Sequence, residues 1–347
     1  MVSKIKIFIS RFAFLPILTI CSCTHPTLIE KIRYAQYLPE NSVQTISYSK
    51  EEFSGLKKLI ILVTRNPVDQ NLPKFEVGRY SAELISEDKK FYWYLSPLPN
   101  SDGPYIVIAD RPKHNLVFEA PHPIKDRATG LQAVLLLKAL EARAAIISGN
   151  DRCAASTKSI CSGKTRICGD KLSSYPVSDP AHSVPNMFHS THTLFSQLWP
   201  NALFVQLHGF SGKGTDTLFV LSDGTRGKRN NHPGIVAKVR DNIRKSLILS
   251  KVATSCQDYQ DDKFKYRQVC GRTNLQGRQL NGSTDICHKN AFKSSGRFLH
   301  IEQQWSVRKP VRDFGYDALN SKYQKALIGS LLNVAPCIGN CINAYNR

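Results

Sequence analysis

Val117-Phe118-Glu119-Ala120-Pro121-His122-Pro123-Ile124-Lys125-Asp126 is an apolar run that stops on a histidine held between two prolines. The same ending recurs in Ala202-Leu203-Phe204-Val205-Gln206-Leu207-His208-Gly209-Phe210, and in Arg297-Phe298-Leu299-His300-Ile301-Glu302-Gln303-Gln304-Trp305. A short apolar run bounded by turn residues reads as a buried strand. A strand that stops on His or Glu offers that side chain at the open edge of a sheet, where α/β proteins place metals and substrates. If the three strands are parallel neighbours, His122, Asp126, His208 and Glu302 share one edge.

Outward from these strands the apolar period alternates. Leu131, Val134, Leu135, Lys138 and Ala142 have helical spacing, and Ala144-Ala145-Ile146-Ile147 reads as a buried strand. Helices are predicted over 188–198, 236–249 and 318–332. Strands alternating with helices predict an α/β fold, a mixed sheet with helices on both faces, for a domain spanning 116–347. Upstream, Leu59-Ile60-Ile61-Leu62-Val63, Phe91-Tyr92-Trp93-Tyr94-Leu95, Tyr105-Ile106-Val107-Ile108 and Leu116-Val117-Phe118 are separated by turn residues. The region 24–115 therefore reads as β-rich. The intervals 150–187 and 253–297 hold cysteines without period and read as disulfide-tied excursions.

Two histidines and a carboxylate can hold a catalytic cation while a further carboxylate serves as base. His122, Asp126 and His208 fill the first roles and Glu302 the last. Glu119 competes with Asp126 as the ligand, and Asp126 could instead cap the helix that follows, although Thr129 and Gln132 have capping-box spacing. Gly209 lets a ligand or another backbone approach closely. His300, on the same strand face as Glu302, is a reserve ligand. Arg152 is a candidate to bind a substrate carboxylate or phosphate, and Ser178-Asp179-Pro180-Ala181-His182 offers another Asp and His to the same set, whereas His182, His189 and His192 read as core or solvated. Gly209-Phe210-Ser211-Gly212-Lys213-Gly214 departs from both a phosphate loop and a nucleophile elbow.

Lys4, Lys6 and Arg11 followed by the apolar stretch 12–20 predict a signal peptide over 1–23, too short to span a bilayer. Ile20-Cys21-Ser22-Cys23 resembles a lipoprotein box, with Cys23 as the lipidated residue and membrane attachment by a lipid anchor as its consequence. Of ten cysteines, those beyond the signal suit disulfides in an oxidising compartment, whether periplasm, envelope or exterior. Cys337 and Cys341 are close enough in sequence to bridge. With 47 Lys+Arg against 27 Asp+Glu, the formal net charge is +20, a field that draws polyanions. No recognised nucleic-acid-binding motif is present, so nucleic acid is not the expected partner.

Strand-His-turn, strand-His and then strand-Glu, in that order, resemble the zinc-dependent amidases and carboxypeptidases of the phosphorylase/hydrolase-like fold. That group includes N-acetylmuramoyl-L-alanine amidases, N-formylglutamate amidohydrolases and metallocarboxypeptidases. The resemblance covers about 115–310. It implies zinc on His122, Asp126 and His208, Glu302 as general base, and hydrolysis of an amide in a peptide, acyl-amino-acid or cell-wall substrate. Two departures stand out. Metallocarboxypeptidases carry HxxE, whereas Lys125 is the third residue after His122. Cell-wall amidases have Gly before the first His, whereas Pro121 stands here. The alternative function is a non-catalytic basic lipoprotein of the envelope that binds polyanions.

Overall fold

The computed structural model describes residues 26–46, 48–65, 74–99, 102–169, 171–212, 214–226, 234–258 and 265–339. In chain order it contains α1 (Leu28–Arg33), α2 (Lys50–Arg65), β1 (Lys74–Val77), β2 (Tyr80–Glu87), β3 (Lys90–Pro97), β4 (Tyr105–Ala109), β5 (His114–Ala120), α3 (Thr129–Ala139) and β6 (Ala142–Ile147). A small ribbon, β7 (Lys164–Thr165) with β8 (Ser173–Ser174), precedes α4 (Met187–Leu198), β9 (Leu203–Phe210), β10 (Phe219–Ser222), α5 (Ile235–Leu247) and β11 (Ala253–Ser255). The chain continues through α6 (Leu275–Leu280), β12 (Phe298–Gln304), α7 (Trp305–Phe314) and α8 (Lys322–Leu332).

Ten strands form one mixed sheet in the order β1-β2-β3-β4-β6-β5-β9-β12-β10-β11. The expected α/β class, with helices on both faces, is what the chain adopts. At the centre β5, β9 and β12 run parallel, with Phe118 opposite Val205 and His208 opposite Glu302. Side chains alternate between faces along a strand. Phe118, Val205, Leu207, Leu299 and Ile301 therefore pack on one face with α1, α3, α5, α7 and α8. Val117, Phe204 and Phe298 pack on the other with α2 and α4. On this second face each central strand turns from apolar to polar toward its C-terminal end: Phe204, Gln206, His208; Phe298, His300, Glu302.

Two expectations need correction. Leu59–Val63 lies inside α2 and is not a strand; Leu56, Leu59, Ile60 and Val63 are its buried side, at helical spacing. A continuous apolar run cannot distinguish a strand from a buried helix, but Ser49 could have: Ser49 N donates to Glu52 Oε2 at 2.7 Å and Glu52 N to Ser49 Oγ at 3.1 Å, a capping box. Conversely, Thr129 and Gln132 make no box. The residue before α3 is Ala128, in the left-handed region with φ 71°. Gln132 instead exchanges two 2.9 Å hydrogen bonds with Gln303 in the core and donates to Gln324 Oε1 at 3.1 Å.

The irregular excursions are tied by Cys153–Cys168, Cys161–Cys287 and Cys256–Cys270. The second of these joins the two excursions to each other. Cys337 is disulfide-bonded as well. Cys341, and with it the expected Cys337–Cys341 pairing, lies outside the described residues, as do the signal segment and Cys23. Among the described residues no helix is long and apolar enough to cross a membrane.

Candidate metal centre

The centre assembles where β5, β9 and β12 end. His122 follows β5 by two residues, Asp126 comes one turn later, and His208 sits near the end of β9. His122 Nδ1, His208 Nδ1 and Asp126 Oδ2 form a triangle with all three sides 3.2 Å. All three residues are buried. The centre of such a triangle lies about 1.8 Å from each corner, close to the zinc–nitrogen distance of about 2.0 Å.

Hydrogen bonds on the far side of each ring fix what those nitrogens are. His122 Nε2 lies 2.9 Å from Asp179 Oδ1, and His208 Nε2 lies 2.7 Å from Gln206 Oε1. A carboxylate only accepts, so His122 carries a proton on Nε2. Gln206 Oε1 is the carbonyl end because its Nε2 donates to Glu119 Oε2 at 3.0 Å, so His208 likewise carries its proton on Nε2. Each imidazole in its neutral form therefore turns the lone pair of Nδ1 toward the other and toward a carboxylate oxygen. Three electron pairs at that separation repel unless a cation sits among them, and such supporting partners on ligand histidines are the usual accompaniment of a metal. The donor set thus fits zinc.

The electrostatics agree. Burial and Arg152 push the His122 imidazole down, but Asp179 and Asp126 outweigh them and leave it above its ordinary value. Without a cation, a proton on His122 serves in its place. Burial brings His208 down to about 4, against the opposing pull of Asp126. Burial alone would raise Asp126, yet its hydrogen bonds to both histidines hold it far below the usual carboxylate range.

Glu302 stands beside this triangle, directly opposite His208 in the sheet. Carboxylate oxygen and ring nitrogens of Glu302, His208 and His300 all lie within 4.8 Å of one another. Glu302 Oε2 is buried and has no hydrogen-bond partner. Burial, and next the charge of Asp126, push its pKa well above the ordinary value. A carboxylate so placed is poised to take up a proton. His300, the reserve ligand, stacks on His208 with ring centroids 4.4 Å apart, and its Nδ1 is likewise unpartnered. A Cβ on Gly271 would lie 2.8 Å from His300 Cδ2, so glycine there makes room for the ring.

Other expected residues take positions around the triangle. Glu119 lies one layer deeper, bonded to His192 Nδ1 at 2.6 Å and to Gln206, outside the triangle. Arg152 donates from Nε and Nη2 to Asp179 Oδ2 at 2.9 and 2.5 Å. Gly209 does allow a close approach, and the group that approaches is the Arg308 guanidinium, 2.2 Å from where a Cβ would stand. Gln206 was not among the expected site residues, and Asp179 was expected only in a possible substrate-binding set with His182, whereas it stands behind His122. Asp179 is fully buried and holds His122, His182 and Arg152 at once. A glutamine inside the apolar run Leu203–Leu207 was the available signal for the other.

No protein-family profile matches the chain, and neither does any curated protein. Among solved structures, the chain is similar to an N-formylglutamate amidohydrolase from Ralstonia eutropha JMP134, with 12% identity and a TM-score of 0.39 over 67% of this chain and 97% of that one. It is also similar to a candidate carboxypeptidase from Burkholderia mallei ATCC 23344, with 12% identity and a TM-score of 0.34 over 83% of this chain and 68% of that one. At these values the chemistry of this chain is read from its own side chains.

Proposed function

We propose that this chain is an exported, zinc-dependent hydrolase that cleaves an amide bond in a peptide, acyl-amino-acid or cell-wall substrate. The observation that carries this reading is the triangle of Nδ1, Nδ1 and Oδ2 atoms 3.2 Å apart, with the buried Glu302 carboxylate beside it, whose Oε2 has no hydrogen-bond partner. His122, Asp126 and His208 would hold the ion, which when bound supplies a Lewis acid and a more acidic water. Asp179 and Gln206 keep the Nε2 protons in place and so keep both Nδ1 atoms available. Glu302 takes the proton of the attacking water and can return it to the leaving nitrogen. Tying of the excursions by disulfides suits an oxidising compartment.

The test is metal content paired with turnover. His122→Ala and His208→Ala should each lose the zinc of the wild-type protein, while Glu302→Gln should keep it. Glu302→Gln should nevertheless lose roughly 100- to 10,000-fold in rate, the usual worth of a general base. Muropeptides, acyl amino acids and peptides should include at least one substrate whose cleavage stops with chelator. Unchanged zinc in both histidine variants would remove the site. Binding that ignores chelator and weakens steeply with salt, with no turnover, would favour a non-catalytic polyanion binder instead.

A further inference from the structure

A second concavity opens along the same end of the sheet. Val220 of β10 pairs with Glu302 on one side and with Thr254 of β11 on the other. Two strand spacings therefore separate Thr254 from Glu302, roughly 10 Å. Thr254 forms part of the wall of a cleft of about 430 Å³, within the roughly 300–1,000 Å³ typical of ligand sites. Around it stand Arg244, Lys251 and Lys265, against one lining carboxylate, Asp216. Arg244 is fixed there by its Nε, which donates to Ala253 O at 2.8 Å, and its Nη1 lies 3.9 Å from the exposed Asp241 Oδ1, a loose pair that an oxyanion in the cleft would compete with. Lys265 Nζ lies 5.7 Å from the centre of the Tyr266 ring. Tyr266 OH and Thr215 Oγ1 hydrogen-bond to each other and close the opposite wall.

The cleft and the metal centre are joined by one loop. Residues after His208 run from β9 through Gly212 to Thr217, and Gln304 holds this segment by donating from Nε2 to the carbonyls of Gly212, Thr215 and Thr217 at 3.1, 3.0 and 2.7 Å. Gly212 has φ +54°, and a Cβ there would meet Gln304 Cγ at 2.4 Å. A side chain two residues beyond Glu302 thus sets the position of the cleft's inner wall. A fixed guanidinium, two ammonium groups and flanking hydroxyls are the groups that bind an oxyanion.

We propose that this cleft is a subsite for an oxyanion, a phosphate or carboxylate, carried by the substrate on the far side of the bond that is cleaved. The subsite deepens the hydrolase reading and rests on it for the choice of scissile bond, but oxyanion binding itself does not. The substrate class is then an extended, anionic amide.

Inorganic phosphate is the first probe, titrated calorimetrically into the full protein with chelator present, so that the metal centre does not contribute. Lys251→Ala/Lys265→Ala should weaken phosphate binding roughly tenfold, the scale of two exposed ion pairs. Lys57→Ala/Lys58→Ala removes the same charge from exposed positions on α2 and should change it little. Phosphate binding that survives the first pair, or falls equally in both, overturns the subsite. In the second arm, matched amides carry a phosphate, a carboxylate or a hydroxyl at the remote end. The Lys251/Lys265 variant should raise KM for the charged substrates with kcat unchanged, and the more affected of the two identifies the natural oxyanion. Equal effects on charged and neutral amides would also overturn it. Absence of turnover in wild type would instead refute the hydrolase reading and leave the phosphate result to stand by itself.

Discussion

Whether His122 and His208 turn their Nδ1 lone pairs toward a cation is decided by the acceptors on the far side of their rings, Asp179 and Gln206. Asp179→Asn keeps an acceptor for His122 but removes the charge facing Arg152, so zinc affinity should fall about 10- to 100-fold, read by competition with a chelating dye. The same carboxylate makes the metal-free protein sensitive to acid. Burial would raise Asp179, but Arg152 and then His122 hold it well below its ordinary value. Its ionised form therefore stabilises the fold above the unfolded value of about 3.9, and that contribution is lost as pH falls below it. Urea midpoints measured from about pH 5 to about pH 2 should hold steady above about pH 4 and fall below it in wild type, and fall less in Asp179→Asn. His122, Asp126, His208 and Glu302 were legible in the sequence because each closes an apolar run or follows one within a turn. Asp179 was legible only as a possible substrate-binding group, and its place behind His122 was not, because it sits in a stretch without period whose shape is set by disulfides and by buried charge.

Among the elements, α2 shows where periodicity misleads. Five consecutive apolar residues fit either geometry, and burial decides: Ile60 is fully buried while Ile61 is only partly so. Ile60→Ala should cost about 2–5 kcal/mol and Ile61→Ala clearly less, measured by chemical denaturation; the reverse order would restore a strand. The loop before α6 offers a second test. Gly271 has φ +62°, and an added Cβ meets the His300 ring at 2.8 Å. Gly271→Ala should therefore destabilise by about 1–3 kcal/mol and shift the ring that stacks on His208. A lowered melting temperature together with altered imidazole NMR signals would register both effects. The central strands β5, β9 and β12 could be read because they are long and apolar, whereas β10 and β11 are only four and three residues long. Such short strands are made by their neighbours more than by their own sequence.

For the whole molecule, charge, disulfides and the amino-terminal segment converge on one expectation, that the protein works outside a reducing cytosol. Protein taken from its native cell should resist alkylation at Cys153, Cys161, Cys168, Cys256, Cys270 and Cys287 until reduced, and its mass should place the mature start near residue 23. Freely alkylated thiols on a chain that retains Met1 would refute export. Topology adds a point about timing. His122 and His208 lie 86 residues apart, and nothing local brings them together; they meet only once β5, β9 and β12 have paired. Such distant pairings are completed late in folding. Zinc can then bind the finished sheet but cannot hasten its formation, so adding it should slow unfolding and leave the folding rate unchanged. A chain that crosses a membrane unfolded would load its ion at its destination, and the metal supply of that compartment, not of the cytosol, would set how much of the protein is active.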